Sequence, residues 1–111
     1  MKYVLLLHAD ENAWVTASEA EREKTYAEHR AFMAALDEAG VPMAGGAELA
    51  PSTTAAVVRG HHDAVVTDGP YAEAREQLGG YYVIDVPTRE DAIEWARKVP
   101  CDVVEVRATI E

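Results

Sequence analysis

Tyr3 to Leu7 is an unbroken apolar run, short enough to form a strand buried on both faces. A polar stretch through Asn12 and Ala13 follows, interrupted by Trp14. Ser18 and Glu21 then make the S-x-x-E pattern of a capping box, and Thr16 with Glu19 offers a second start. From there the chain takes a helical period. Thr25, His29, Phe32, Leu36 and Ala39 recur at spacings of three and four, so they share one face. This helix is predicted to run to about Ala39, because Gly40 suits the position after the last turn and Pro42 forbids continuation.

Val41 to Leu49 reads as a weak strand containing Gly45-Gly46. Thr53 to Arg59 and Ala64 to Thr67 are β-rich, and Gly60-His61-His62-Asp63 between them reads as a hairpin turn. Asp68-Gly69-Pro70-Tyr71 is a second tight turn, in which Gly69 permits positive φ and Pro70 adds stiffness. A short helical turn over Glu73 to Gln77 is expected after it. Gly79-Gly80 opens the strongest strand, Tyr81 to Val86. Thr88 caps a second helix, with Asp91 in the fourth position of the box. Ala92, Trp95, Ala96 and Val99 make the apolar stripe of that helix, Pro100 stops it, and Val103 to Arg107 is the last strand.

The order is strand, helix, strand, hairpin, strand, helix, strand. It predicts an α+β fold: a ferredoxin-like split βαβ sheet with two helices on one face. No linker, repeat or low-complexity segment divides the chain, so residues 1–111 read as a single domain. Two helices cover only one face of a sheet. Yet Tyr3, Leu5 and Leu7 point one way while Val4 and Leu6 point the other, and Tyr81 and Val83 oppose Tyr82 and Ile84. Something outside one copy must cover the second face, and a homodimer with its sheets face to face is the economical solution.

Composition narrows the partners. With 49% apolar and 27% charged residues the chain can bury a core and is not a disordered tail. Acidic residues outnumber basic ones by 20 to 10, a net charge of −10. That bias argues against nucleic acid and against an anionic membrane surface. The first apolar run ends at His8 and Asp10 with no small-residue cleavage site after it, and no window reaches the length of a membrane span. A cytoplasmic location is the expectation. Cys101 is the only cysteine, which excludes an intrachain disulfide and a zinc site built on several thiolates. No cofactor or metal is predicted. Nucleophile elbows, phosphate-binding loops and dinucleotide fingerprints are missing from the sequence.

The run Val66-Thr67-Asp68-Gly69-Pro70-Tyr71-Ala72-Glu73, followed by Glu76-Gln77-Leu78-Gly79-Gly80-Tyr81-Tyr82, resembles the signature of the YCII-related family, DGPF subgroup. The opening Met1 to Leu6, the stretch Ala92 to Ala96 and the closing Val104 to Arg107 fit as well, so the resemblance covers essentially the whole chain. Tyr71 stands where the subgroup's name implies Phe, keeping the ring and adding a hydroxyl. The resemblance implies a dimeric α/β barrel, in agreement with the two-faced strands. For function it implies less: most members have no assigned reaction. The wider family includes a dehydrochlorinase-type lyase, and its members were proposed to use a His–Asp pair. DGPF members are often encoded beside sigma factors of the extracytoplasmic-function type.

His29 and Asp68 are the catalytic candidates. His29 lies on the apolar face of the first helix, matches the helical histidine of the wider family, and exchanges protons near neutral pH. Its plainer role is a core-edge histidine bonded to a neighbour. Asp68 opens the DGPY turn, where it either accepts backbone N–H bonds or orients a histidine. His8, Tyr82 and Tyr71 are the ligand-binding candidates: His8 reaches a sheet end, and the phenols offer hydrogen bonds, with ordinary strand-end solvation and aromatic packing as the alternatives. His61, His62 and Asp63 read as a solvated turn rather than a metal site, and Cys101 as structural.

Three readings follow. The first is a small-molecule cleft in a homodimer, supporting cofactor-free proton-transfer or lyase chemistry with a histidine acid/base. The second is a non-catalytic binding or regulatory module tied to a sigma-factor system. The third is a purely structural dimer.

Overall fold

A computed structural model describes all 111 residues. The main sheet holds β1 (Lys2–Asp10), β2 (Met43–Glu48), β5 (Glu76–Asp85) and β6 (Val103–Ala108) in the order β2-β5-β1-β6. Every neighbouring pair is antiparallel, so β1 and β2 run parallel with β5 inserted between them. That is the split βαβ arrangement expected. A separate two-stranded sheet, β3 (Ala56–Arg59) with β4 (Val65–Asp68), stands apart from it.

The long helix α2 (Glu19–Glu38) begins where the capping box places it. Ser18 Oγ accepts from the Glu21 N–H at 3.1 Å, and the Glu21 carboxylate accepts from the Ser18 N–H at 3.4 Å. In α3 (Arg89–Ala96) Thr88 Oγ accepts from the Asp91 N–H at 3.1 Å. Both helices lie on one face. Tyr3, Leu5 and Leu7 of β1 and Tyr82 and Ile84 of β5 are buried beneath Phe32 and Leu36 of α2 and Ala92 of α3. Trp95 is only half-buried; it meets Phe32 edge-on at 6.3 Å and carries Lys98 over its ring at 4.5 Å. The opposite face, with Val4, Leu6, Tyr81 and Val83, keeps intermediate exposure.

Three local expectations are corrected. Glu73 to Gln77 forms no helical turn, because Glu76 and Gln77 extend β5 to pair with Asp10 and Ala9 of a longer β1. Residues 11–13 are not a plain polar stretch: α1 (Glu11–Thr16) starts there, with the Asp10 carboxylate accepting from the N–H groups of Asn12 and Ala13. Gly69 does not adopt positive φ. Its N–H donates to the Ala55 carbonyl at 2.7 Å, and a Cβ there would lie 2.7 Å from the Ala55 Cβ. Close approach selects the glycine, not handedness.

Candidate functional site

The site begins at an irregularity between β1 and β5. Leu7 pairs with Gly80 but His8 pairs with Leu78, leaving Gly79 without a partner. Such a bulge re-aims the side chains beside it and sets His8 next to Leu78 near the sheet end. Above them lie the 3₁₀ turn Ser52–Thr54 and the loop following Gly69. Both are tied to the β1–α1 corner. Ser52 donates its N–H and its hydroxyl to the Glu11 carboxylate, and Arg75 Nε donates to Asp10 at 3.2 Å. Gln77 holds the loop from the other side, donating Nε2 to the carbonyls of Ala72 and Ala74 at 3.0 and 2.9 Å. Between these walls lies a cleft of about 600 Å³, with His8, Leu49, Pro51, Pro70, Tyr71 and Leu78 in its lining. Small-molecule sites commonly fall between about 300 and 1,000 Å³ and combine apolar walls with a few polar groups. A polar depression carrying Asp10, Glu11, Glu73 and Arg75 adjoins it.

His8 is the cleft's imidazole. Glu105 on β6 sits two positions along from His8's cross-strand partner Val103, a diagonal placement within reach of a long side chain. The His8 Nε2 to Glu105 Oε1 distance is 3.2 Å, and the His8 side chain retains 27% exposure. With Nε2–H donating to the carboxylate, Nδ1 carries the lone pair. Nδ1 has no hydrogen-bond partner within the chain. An imidazole held this way can accept a proton at Nδ1 while the carboxylate steadies the resulting charge.

A second histidine lies on the helix side of the sheet. His29 Nδ1 is 2.6 Å from Tyr82 Oη, and Phe32 packs on the same phenol ring with centroids 5.0 Å apart. Gly46 of β2 pairs with Tyr82, and a Cβ there would come within 3.0 Å of the Tyr81 carbonyl oxygen and 3.2 Å of Tyr82 Cδ1. A side chain at this position would crowd the ring. Burial pushes His29 below its ordinary value, against the upward pull of Glu48 and Glu28, and burial pushes the Tyr82 phenol above its own. Burial thus favours the neutral form of both groups. Glu48 is itself held by Tyr26 Oη, 3.0 Å from each carboxylate oxygen, and Trp14 meets Tyr26 edge-on at 5.4 Å.

The YCII-related domain model matches residues 1–108, which takes in every strand and helix from β1 to β6. The chain belongs to the YCII-related family. It is also similar to an uncharacterized protein of Rhizobium meliloti (strain 1021), 37% identical over 100 residues, spanning 87% of this chain and 78% of that protein. No helix of this YCII-related chain is long and apolar enough to cross a membrane.

Within this YCII-related fold the five residues singled out from the sequence fall into separate places. His29 and Tyr82 meet as a pair, and His8 and Tyr71 share the cleft, but neither His29 nor Tyr82 lines it. Asp68 ends β4, is exposed, and makes no side-chain hydrogen bond, so it joins neither His29 nor the DGPY turn. Glu105 and Leu78 escaped sequence reading. Their signal is the strand register: the β1–β6 pairing sets Glu105 beside His8, and the bulge at Gly79 in the β1–β5 pairing sets Leu78 there. His61, His62 and Asp63 are exposed at the tip of the β3–β4 hairpin. Cys101 Sγ donates to the His8 carbonyl at 3.4 Å, and burial pushes its thiol up.

Proposed function

We propose that this YCII-related protein works as a homodimer binding a small organic molecule in the cleft beside His8, and transfers a proton there in a cofactor-free, lyase-type step. One observation carries the reading: an imidazole with Nε2 held by a carboxylate and Nδ1 free, on the wall of a cleft of ligand size. His8 Nδ1 takes a proton from a carbon of the ligand. The C–H electron pair becomes a new C=C bond, and a leaving group on the adjacent carbon departs with its own bonding pair. Glu105 stabilises the imidazolium until the proton is returned to solvent or to the leaving group. Tyr71 and Leu78 supply apolar surface to the ligand. The half-exposed Val4, Leu6, Tyr81 and Val83 support the homodimer with sheets face to face. The Asp68 to Tyr71 run supports placement in the DGPF subgroup.

A second reading rests on the His29–Tyr82 bond of 2.6 Å, and takes the phenol as the proton donor and the helix side of the sheet as the reacting face. Paired variants separate the two. For any ligand found, His8→Asn is expected to abolish proton transfer and weaken binding while His29→Asn preserves both. The reverse pattern transfers the role to His29 and Tyr82. Tight binding in the cleft without turnover of any ligand favours a regulatory module, of the kind that serves a sigma-factor system.

A further inference from the structure

The β3–β4 hairpin is too poorly covered to stand alone. No residue from Ala56 to Asp68 is buried. Apart from the terminal Ile110, the four most exposed large hydrophobic side chains all lie on this arm or at its base: Tyr71 at 76%, Val66 at 64%, Val58 at 61% and Val65 at 59%. A two-stranded hairpin is marginal in water at best, and needs a third strand or a packed face. Its register pairs Val58 with Val66 on one face, while Arg59 and Val65 share the other. Arg59 lies over its own chain's Tyr71 ring at 5.2 Å, so that second face turns toward the base of the arm. The Val58–Val66 face is left with nothing over it.

The size of the exposed surface says what covers it. The chain exposes 7722 Å², against roughly 6,000 Å² for a compact monomer of its mass, an excess of about 1,700 Å². Obligate homodimers bury about 2,000–5,000 Å² in total, or about 1,000–2,500 Å² per copy, and the excess falls inside that range. The radius of gyration, 15.7 Å, likewise exceeds the roughly 13 Å of a compact chain this long. Charge points the same way. Two copies each carrying −10 repel, and they can meet only where charge is sparse. Leu49 to Val58 contains no charged residue, nor does Ala64 to Thr67.

We infer that the β3–β4 hairpin is a dimerisation arm whose Val58–Val66 face packs on a second copy of this chain. The arm departs from the cleft wall through Ala55 and Pro70, so its docking also steadies that wall. The inference rests on the homodimer of the proposed function but not on what the cleft binds, and it uses different residues from the open sheet face.

The test compares two variants with the wild type by light scattering at micromolar concentration. Wild type is expected at twice the chain mass of 12.1 kDa, and Val58→Asp/Val66→Asp at the single chain mass with its circular dichroism retained. A dimeric double variant overturns the arm. If Leu6→Lys is monomeric in that case, the face-to-face dimer survives without it. A monomeric wild type overturns both. Should the double variant fail to fold, tryptic cleavage of wild type after Arg59 decides. Protection at micromolar concentration that is lost on dilution supports the arm; equal cleavage at both concentrations overturns it.

Discussion

Tyr82→Phe isolates the hydrogen bond between α2 and β5 from the packing around it. The substitution removes only the hydroxyl, 2.6 Å from His29 Nδ1, and keeps the ring against Phe32. A neutral intramolecular hydrogen bond contributes about 0.5–1.5 kcal/mol net, and a fully buried orphaned partner adds about 1–3 kcal/mol. His29 is only half-buried, so water replaces much of the lost contact and the second cost does not apply in full. The expected loss is about 1 kcal/mol, a fall of roughly 4 °C in midpoint for a chain of this length. Urea denaturation followed by circular dichroism measures it. Protein concentration must be held constant, because the stability of the proposed dimer would depend on it. The slope should not change, since the same surface is exposed on unfolding. Adding His29→Asn to Tyr82→Phe should cost less than the separate losses imply, because one bond is being removed twice. A Tyr82→Phe variant as stable as wild type, with fully additive behaviour, would refute the bond.

Two further outcomes follow from the core and from the half-buried imidazole of His29. Ile84 is fully buried, and Ile84→Ala is expected to cost about 2–5 kcal/mol by denaturation; a loss well under 1 kcal/mol would contradict the helix–sheet core. Burial lowers His29 from its ordinary 6.5, so the unfolded chain takes the proton first as pH falls. His29 thus contributes its full stability above pH 6.5, and that contribution declines as pH drops from 6.5 toward its lower folded value. His29→Asn should flatten that part of a stability–pH curve. Asp10, Asp85 and Glu111, whose carboxyls are held below their ordinary 3.8, 3.8 and 4.5, lose their contribution as pH falls through and below those ordinary values.

Local chemistry made most of the fold legible. Of the two starts the sequence offers, the S-x-x-E box at Ser18 is the one α2 uses, with cap bonds made within four positions. Alternation in Tyr3–Leu7 and Tyr81–Ile84 assigned both faces of the central strands, because the side-chain period of a strand is two. α1 leaves no signal in the sequence, because its six residues bury nothing and a turn and a half of helix has no period to read. Local preference favours a helical turn at Glu76 and Gln77, and pairing with β1 overrides it.

The site was less legible for a related reason. His29 could be aimed at the sheet by spacing, but its partner Tyr82 lies 53 positions away. Pairing His8 with Glu105, 97 positions on, requires the β1–β6 register. Asp68 seemed a natural partner for histidine, yet it sits on an arm that belongs to a different sheet.

The claim that the cleft beside His8 is where a small molecule binds is tested most directly by nuclear magnetic resonance with a fragment library. Shift changes are expected to cluster on the His8 ring, Tyr71 and Leu78, with the His29 ring unmoved. Shifts confined to His29 and Tyr82, or no saturable shift from any fragment, would contradict it.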